Sequence, residues 1–480
     1  MADPPPPLYA LRAHTTDVTA LCLCAMRADN VIGESSSRRN VGGAGLAQAA
    51  VAAAAQPRMV LASGSTDGML KLWDLASRRV CVEVDEHGGR GIIGLVWVAQ
   101  DARLVSQGRD GYIRVRQVRA VLGEQDNLQL ELGALFVMEH GSYTFTRLSY
   151  LAAAAGGLIV APASNDTFFE VWGARTGCPV IAHCVARKQG GKTGMVMSLK
   201  LVMLGEIGVD HDNGRGRGLW ERAMASEDEA KEKIVCVDDD DDDDGDDGHD
   251  DGDAAAAGIE SGGNGASEPR GLAGGTIVER MPCMVAVIVG VESGEIGLFP
   301  DAANTANGIS ISSGSAHACA DTESPVASKV LGLTGDDAAW ISAHEEPVLC
   351  MDVAVRRSDP SSLVGISGSA DTSICVFTVH TKDDRWSFGQ IHKISLKTRG
   401  VADVRLRPDR RLFAAACWDG QVRVYSVKKR RQLAVLRFHD AGVHAVAFPA
   451  LDTPAEEAGM LVSASKDARI AVWRMYPPAN

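Results

Sequence analysis

The chain has 480 residues, 45% of them hydrophobic and 23% charged, which is the make-up of a folded globular protein. Its formal net charge is −14, but twelve aspartates fall between Asp238 and Asp253, and without them the charge is −2. That nearly neutral body disfavours direct nucleic-acid binding by bulk positive charge, and no apolar run approaches the ~20 residues of a membrane-spanning helix.

The chain opens Met1-Ala2-Asp3 and then Pro4–Pro7, with no basic or apolar leader, so no signal peptide is expected. The 11 cysteines are scattered and include no CxxC, which fits a reducing nucleus or cytoplasm better than a disulfide framework. From there one pattern recurs. Small residues lead to an acid, usually then Gly, and a large ring follows six residues after the acid. Leu61–Asp74, with Asp67 and Trp73, is the clearest copy. Asp166 and Trp172, Asp371 and Phe377, Asp419 and Tyr425, and Asp467 and Trp473 keep the interval. Asp110 leads to Arg116, where the ring is lost, and Ser293 leads to Phe299, where the acid is lost. Each copy reads as two strands joined by a tight turn, for which Asp-Gly at 67–68, 110–111 and 419–420 is strong turn chemistry.

A His precedes several of these acids: His87 before Asp110, His344 before Asp371, His439 before Asp467, and His14 before Asp67 across an insertion. A Ser sits four residues before the acid at Ser63, Ser106, Ser367 and Ser463. Ala415 and Pro162 stand where two further copies would have it. Seven copies of a four-stranded unit predict an all-β fold, a seven-bladed propeller. The strand at Leu8–Arg12 is expected to close the ring against Ile470–Arg474.

The positions equivalent to the acid, 67, 110, 166, 293, 371, 419 and 467, define one propeller across residues 1–480. Two of their steps, 127 and 78 residues, far exceed the ~40–45 residues of a blade. The excess lies at 205–280, which holds the Asp run and is expected to be disordered, and at 301–339, expected to be a loop. A third insertion, 27–57, splits the first blade.

Other chemistry fails on spacing. Gly190-Gly191-Lys192-Thr193 resembles a phosphate loop, but Ala186 stands where its first Gly belongs. Asp210, Asp212 and Glu221 match a calcium loop, but Arg215 stands where Gly is needed. Cys22 and Cys24 near His14 suggest a metal, yet alternation with Leu21 and Leu23 reads more simply as a strand. The four histidines each belong to a different copy and cannot converge. No cofactor, metal or catalytic triad is therefore expected. Lys428–Arg431 reads as a hairpin turn and, secondarily, as a nuclear import signal.

The repeat resembles the WD-repeat family. That resemblance implies buried His-Ser-Asp-Trp hydrogen-bonded tetrads: complete sets at His14, Ser63, Asp67, Trp73 and at His439, Ser463, Asp467, Trp473, with three members left at His87, Ser106, Asp110 and His344, Ser367, Asp371. Leu104–Asp110, Ala343–Val348, Gly365–Ala370, Arg407–Arg410, Leu433–Leu436 with Phe438 and His439, and Trp473–Pro477 point closer. They resemble the guanine nucleotide-binding protein subunit beta-like protein 1 family, whose fungal members are called ASTRA-associated protein 1. The resemblance implies a non-enzymatic scaffold tied to the ASTRA assembly, to maturation of phosphatidylinositol-3-kinase-related kinases and to chromatin regulation. Arg109, Glu345, Glu346 and Trp418, beside the turns of one face, are the expected partner contacts. The alternative is a histone or chromatin reader that holds basic proteins through Asp238–Asp253.

Overall fold

The computed structural model describes residues 6–26, 31–33, 58–122, 128–141, 145–152, 157–177, 179–185, 194–204, 284–299, 338–382, 385–450, 453, 457 and 459–475. They form 29 strands in seven sheets, antiparallel throughout except for one added strand. Blade one holds β2 (Val18–Met26), β4 (Arg58–Ser65), β5 (Met69–Asp74) and β6 (Arg79–Asp85). Blade two holds β7 (Ile92–Val98), β8 (Arg103–Gly108), β9 (Tyr112–Leu122) and β10 (Leu128–Glu139). Blade three is β11 (Ser149–Leu151), β12 (Leu158–Pro162), β13 (Phe168–Gly173) and β14 (Pro179–Cys184). Blade four is β15 (Val196–Leu204), β16 (Met284–Val291), β17 (Glu295–Phe299) and β18 (Ala339–Ser342).

Blade five is β19 (Val348–Arg356), β20 (Asp359–Ser369), β21 (Ser373–Lys382) and β22 (Arg385–Ser395). Blade six is β23 (Val401–Leu406), β24 (Leu412–Cys417), β25 (Gln421–Ser426) and β26 (Gln432–Arg437). Blade seven joins β27 (Val443–Ala447), β28 (Met460–Ser465) and β29 (Ile470–Arg474) to β1 (Tyr9–Leu11). Tyr9 lies opposite Val472 and Leu11 opposite Ile470, so the two ends of the described chain close the ring.

Each sheet is packed on both faces, which is why its inner strands read as unbroken small and apolar runs. In β24, Phe413, Ala415 and Cys417 face blade five, while Leu412, Ala414 and Ala416 face blade seven. Alternation therefore assigns side chains to seams between blades, and the apolar side chains gather into seven such seams among the described residues. The seam between blades seven and one combines Leu11, Val18, Leu61 and Trp73 with Val462, Ile470 and Val472. Ring closure is thus a packing event as well as a strand pairing.

Antiparallel order fixes which connections share a face. Turns from the second to the third strand, and links to the next blade, lie on one face. First-to-second and third-to-fourth turns lie on the other. Insertions 27–57, 205–280 and 301–339 all join strand ends on that second face. The acidic run itself lies outside the described residues. Within 27–57, which the sequence marks only as an insertion, β3 (Val31–Gly33) forms a strand parallel to β9. It pairs with Ala120–Leu122, which extend past the reach of β8.

Candidate functional site

The repeated acids occupy the turns between second and third strands, so the expected partner contacts share one face. Gly68 takes φ +81 in the first of these turns, and a Cβ there would meet the Arg90 carbonyl at 2.9 Å. Only Gly lets the turn press against the neighbouring loop at this φ.

Blade seven assembles the complete tetrad. Trp473 Nε1–H donates to Ser463 Oγ at 3.0 Å, Ser463 lies 2.9 Å from His439 Nε2, and His439 Nδ1 lies 3.0 Å from Asp467 Oδ2. Blades two and five bring their three members together: His87 to Asp110 at 2.9 Å and Ser106 at 3.0 Å, and His344 to Asp371 and Ser367, both at 2.9 Å. Burial lowers the pKa of these histidines more than the facing carboxylates raise it. Where blade two lacks a ring, Arg116 instead forms a two-pronged ion pair with buried Glu86, at 2.8 and 2.9 Å.

Blade one departs from the expected tetrad. Trp73 and His14 both bond Ser63, at 2.8 and 2.7 Å, but Asp67 does not reach the ring. Its carboxylate accepts from Ser65 Oγ and from the Met69 amide instead. In blade seven the equivalent Ser465 hydroxyl faces the Ala441 and Gly442 carbonyls, which leaves Asp467 for His439. His14 Nδ1 is buried with no hydrogen-bond partner among the described residues. Burial, with Lys71 nearby, lowers the His14 pKa to about 4.

Two further sites carry substitutes. Asp419 is clasped by Arg423 at 2.9 and 2.6 Å, in the blade where Ala415 removes the Ser. Blade three has a histidine that the sequence reading missed. His140 is buried beside the Pro162 carbonyl, and burial lowers its pKa to about 4. It precedes Asp166 by 26 residues, inside the interval shown by the other copies, so spacing could have found it.

This contrast predicts unequal losses. Asp467→Ala strips the acceptor from buried His439 and should cost ~1–3 kcal/mol, while Asp67→Ala should cost less than half as much. Urea midpoints measure both, and equal shifts would contradict the assignment of partners.

On the turn face, the residues just before the acids form an equivalent set. The Arg109 amide bonds the Gly91 carbonyl and the Trp418 amide the Gly400 carbonyl, as Thr66, Glu292, Ala370 and Lys466 do with their own loops. Arg109 is exposed and its guanidinium lies 4.1 Å from the Phe145 ring centroid. Trp418 is 49% exposed and lies on Gly400, whose φ is +92 and where a Cβ would meet the indole at 2.0 Å. Glu345 is exposed, whereas Glu346 is tied to Arg399 at 2.7 Å. Sequence reasoning missed Phe145, 67% exposed, and Met195, 38% exposed, on the same face. An aromatic in the link before an inner strand was the available signal.

The inner strands surround an axial cavity of about 350 Å³. Its charges are internally matched: Arg147 with Asp403 at 3.0 Å, Lys200 with Asp352 at 2.6 Å, and Arg405 with Asp403 at 3.5 Å. Burial would raise the Asp352 pKa, but Lys200 and Arg405 hold it below the usual carboxylate range. Cys22 and Cys24 lie in β2, and no metal-binding cluster of His, Cys, Asp or Glu occurs among the described residues. Gly190–Thr193 and Asp210–Glu221 lie outside the described residues.

A family model for the WD domain, G-beta repeat, matches residues 50–74 and 389–426. Guanine nucleotide-binding protein subunit beta-like protein 1 of Mus musculus is 39% identical over 137 residues, 28% of this chain and 37% of that protein. ASTRA-associated protein 1 of Schizosaccharomyces pombe is 33% identical over 138 residues, 28% of this chain and 33% of that protein. Its namesake in Aspergillus flavus is 40% identical over 106 residues, 22% of this chain and 23% of that protein. The chain thus spans about a third of the mouse and S. pombe relatives' length and about a quarter of the A. flavus one. With its seven blades, the chain is a β-propeller, similar to the WD domain, G-beta repeat, over the two matched stretches and to these two named groups over about a quarter of its length.

Proposed function

We propose that this propeller is a non-enzymatic scaffold that binds other proteins through the face bearing the aspartate turns. The observation that carries this reading is the equivalent set of turn residues. It presents Arg109, Trp418 and exposed Phe145 on a rigid ring, on the face opposite the three insertions. Exposed aromatic and Arg side chains on preformed turns suit binding hot spots, because little ordering is needed on association. Similarity to proteins named ASTRA-associated supports an ASTRA-type assembly as the partner. Kinase maturation and chromatin regulation, in nucleus or cytoplasm, are the processes this reading implies.

The triple variant Arg109→Ala, Glu345→Lys, Trp418→Ala should keep its unfolding midpoint and lose partner recovery at least tenfold, since anchors cost ~2 kcal/mol or more each. Affinity purification with quantitative mass spectrometry reads this directly. Full recovery by the folded variant would place the interface elsewhere. Loss only on deleting 205–280 would favour the reader of basic proteins.

A further inference from the structure

The face opposite the aspartate turns concentrates positive charge from three turns that are separate in sequence. Arg356 ends β19 and Arg357 lies in the turn to β20, Arg410 and Arg411 lie between β23 and β24, and Lys428–Arg431 between β25 and β26. The fold makes them neighbours. Arg410 Nη1 donates to the Val355 carbonyl at 3.3 Å, joining blade six to the end of β19. The Val427 amide donates to the Arg411 carbonyl at 2.9 Å, joining the two turns of blade six. Six of the eight residues are exposed, and Arg410 and Arg411 are half-buried. Among the described residues of these turns lie two acids, Asp359 and Asp409, and Asp409 is engaged by Arg407; Asp383 and Asp384, between β21 and β22, lie outside the described residues. A chain with net charge −14 thus carries a cationic surface.

We propose that this basic surface of blades five and six docks the chain's own acidic run, Asp238–Asp253. The run is inserted between β15 and β16 of blade four, so both of its attachments lie on the same face and one blade away from the surface. Between Leu204 and Asp238 lie 33 residues, and between Asp253 and Met284 lie 30. At coil dimensions each arm reaches about 30 Å. That exceeds the ~20 Å width of a four-stranded blade. Twelve carboxylates face eight cations. Tethering holds them at an effective concentration on the order of millimolar.

Carbodiimide coupling of the full chain tests this, because it joins carboxylates to amines in direct contact. The expected products, in the monomer fraction, link Asp238–Asp253 to Lys428 or Lys429 and fade in 0.5 M salt. In a second measurement, a fluorescent peptide of residues 238–253 is titrated against three chains. It should bind the chain with all twelve aspartates changed to Asn at least tenfold more tightly than the intact chain. Adding Arg411→Glu, Lys428→Glu, Lys429→Glu and Arg431→Glu should abolish that gain. Absence of the links, or peptide binding indifferent to the charge reversals, would overturn the proposal. An RNA or DNA duplex that binds the intact and Asn-substituted chains equally would also overturn it and assign the surface to an external polyanion.

Discussion

Trp473→Ala should destabilise the protein by ~3–5 kcal/mol, the range for truncating a fully buried large aromatic. Trp473 is 1% exposed, fills the seam between blades six and seven, and meets Phe438 edge-on at 6.3 Å. The truncation also removes the donor to Ser463, so the polar chain through His439 loses its first member. Trp418→Ala provides the internal control. At 49% exposure it should shift stability by less than ~0.5 kcal/mol, although it removes the same indole. Denaturant midpoints for the pair separate a packing ring from a presenting one. A Trp418 variant as unstable as the Trp473 variant would mean that the turn face is part of the core.

Mild acid should destabilise the propeller before the carboxylates titrate. His14 and His140 have folded pKa values of about 4, against ~6.5 when unfolded. The unfolded chain therefore binds more protons between these values. Stability is fully present above pH 6.5 and falls as pH drops toward 4. By pH 5 the loss is about 2 kcal/mol for each of the two rings. His87, His344, His439 and His444 are shifted in the same direction and add to it. The lowered carboxylates Asp110, Asp371, Asp419 and Asp467 contribute only in a later phase, below pH 4. Urea midpoints from pH 8 to 4.5 should trace this slope, and His14→Gln should flatten part of it. An unchanged midpoint at pH 5 would mean that the buried rings are solvated.

The ring of blades was legible because each copy repeats a local device. Asp-Gly forces its turn wherever it occurs, and the ring six residues later must land in the next strand. The seams were legible too, since strands buried on both sides carry unbroken apolar runs such as Leu412–Cys417. Hydrogen-bond partners were not. Spacing places Asp67 and Asp467 identically, yet a two-residue reach to Ser65 captures one of them, and only the surrounding carbonyls decide which acceptor wins. Arg116 was read as a lost ring, because its partner Glu86 lies beside the tetrad His in a different turn. The β3 strand left no trace in a three-residue segment without alternation. Phe145 and Met195 were passed over because links between blades carry no repeat pattern against which an exposed apolar residue stands out.

The pairing of β1 with β29 also sets a clock on biosynthesis. Tyr9–Leu11 emerge well before their partners at Ile470–Arg474, which follow some 460 residues later. At ~5–20 residues per second, the ribosome needs roughly half a minute to a minute and a half to deliver them. Throughout that interval the first six blades can stack as an open arc, while the apolar edge of blade one, including Val18, Leu61 and Trp73, faces solvent. An arc with two unpaired ends is a template for joining a second nascent chain on the same message. Molecular chaperones that shield the leading blade until its closing strand has been made would therefore raise the yield of closed rings more than any that act later.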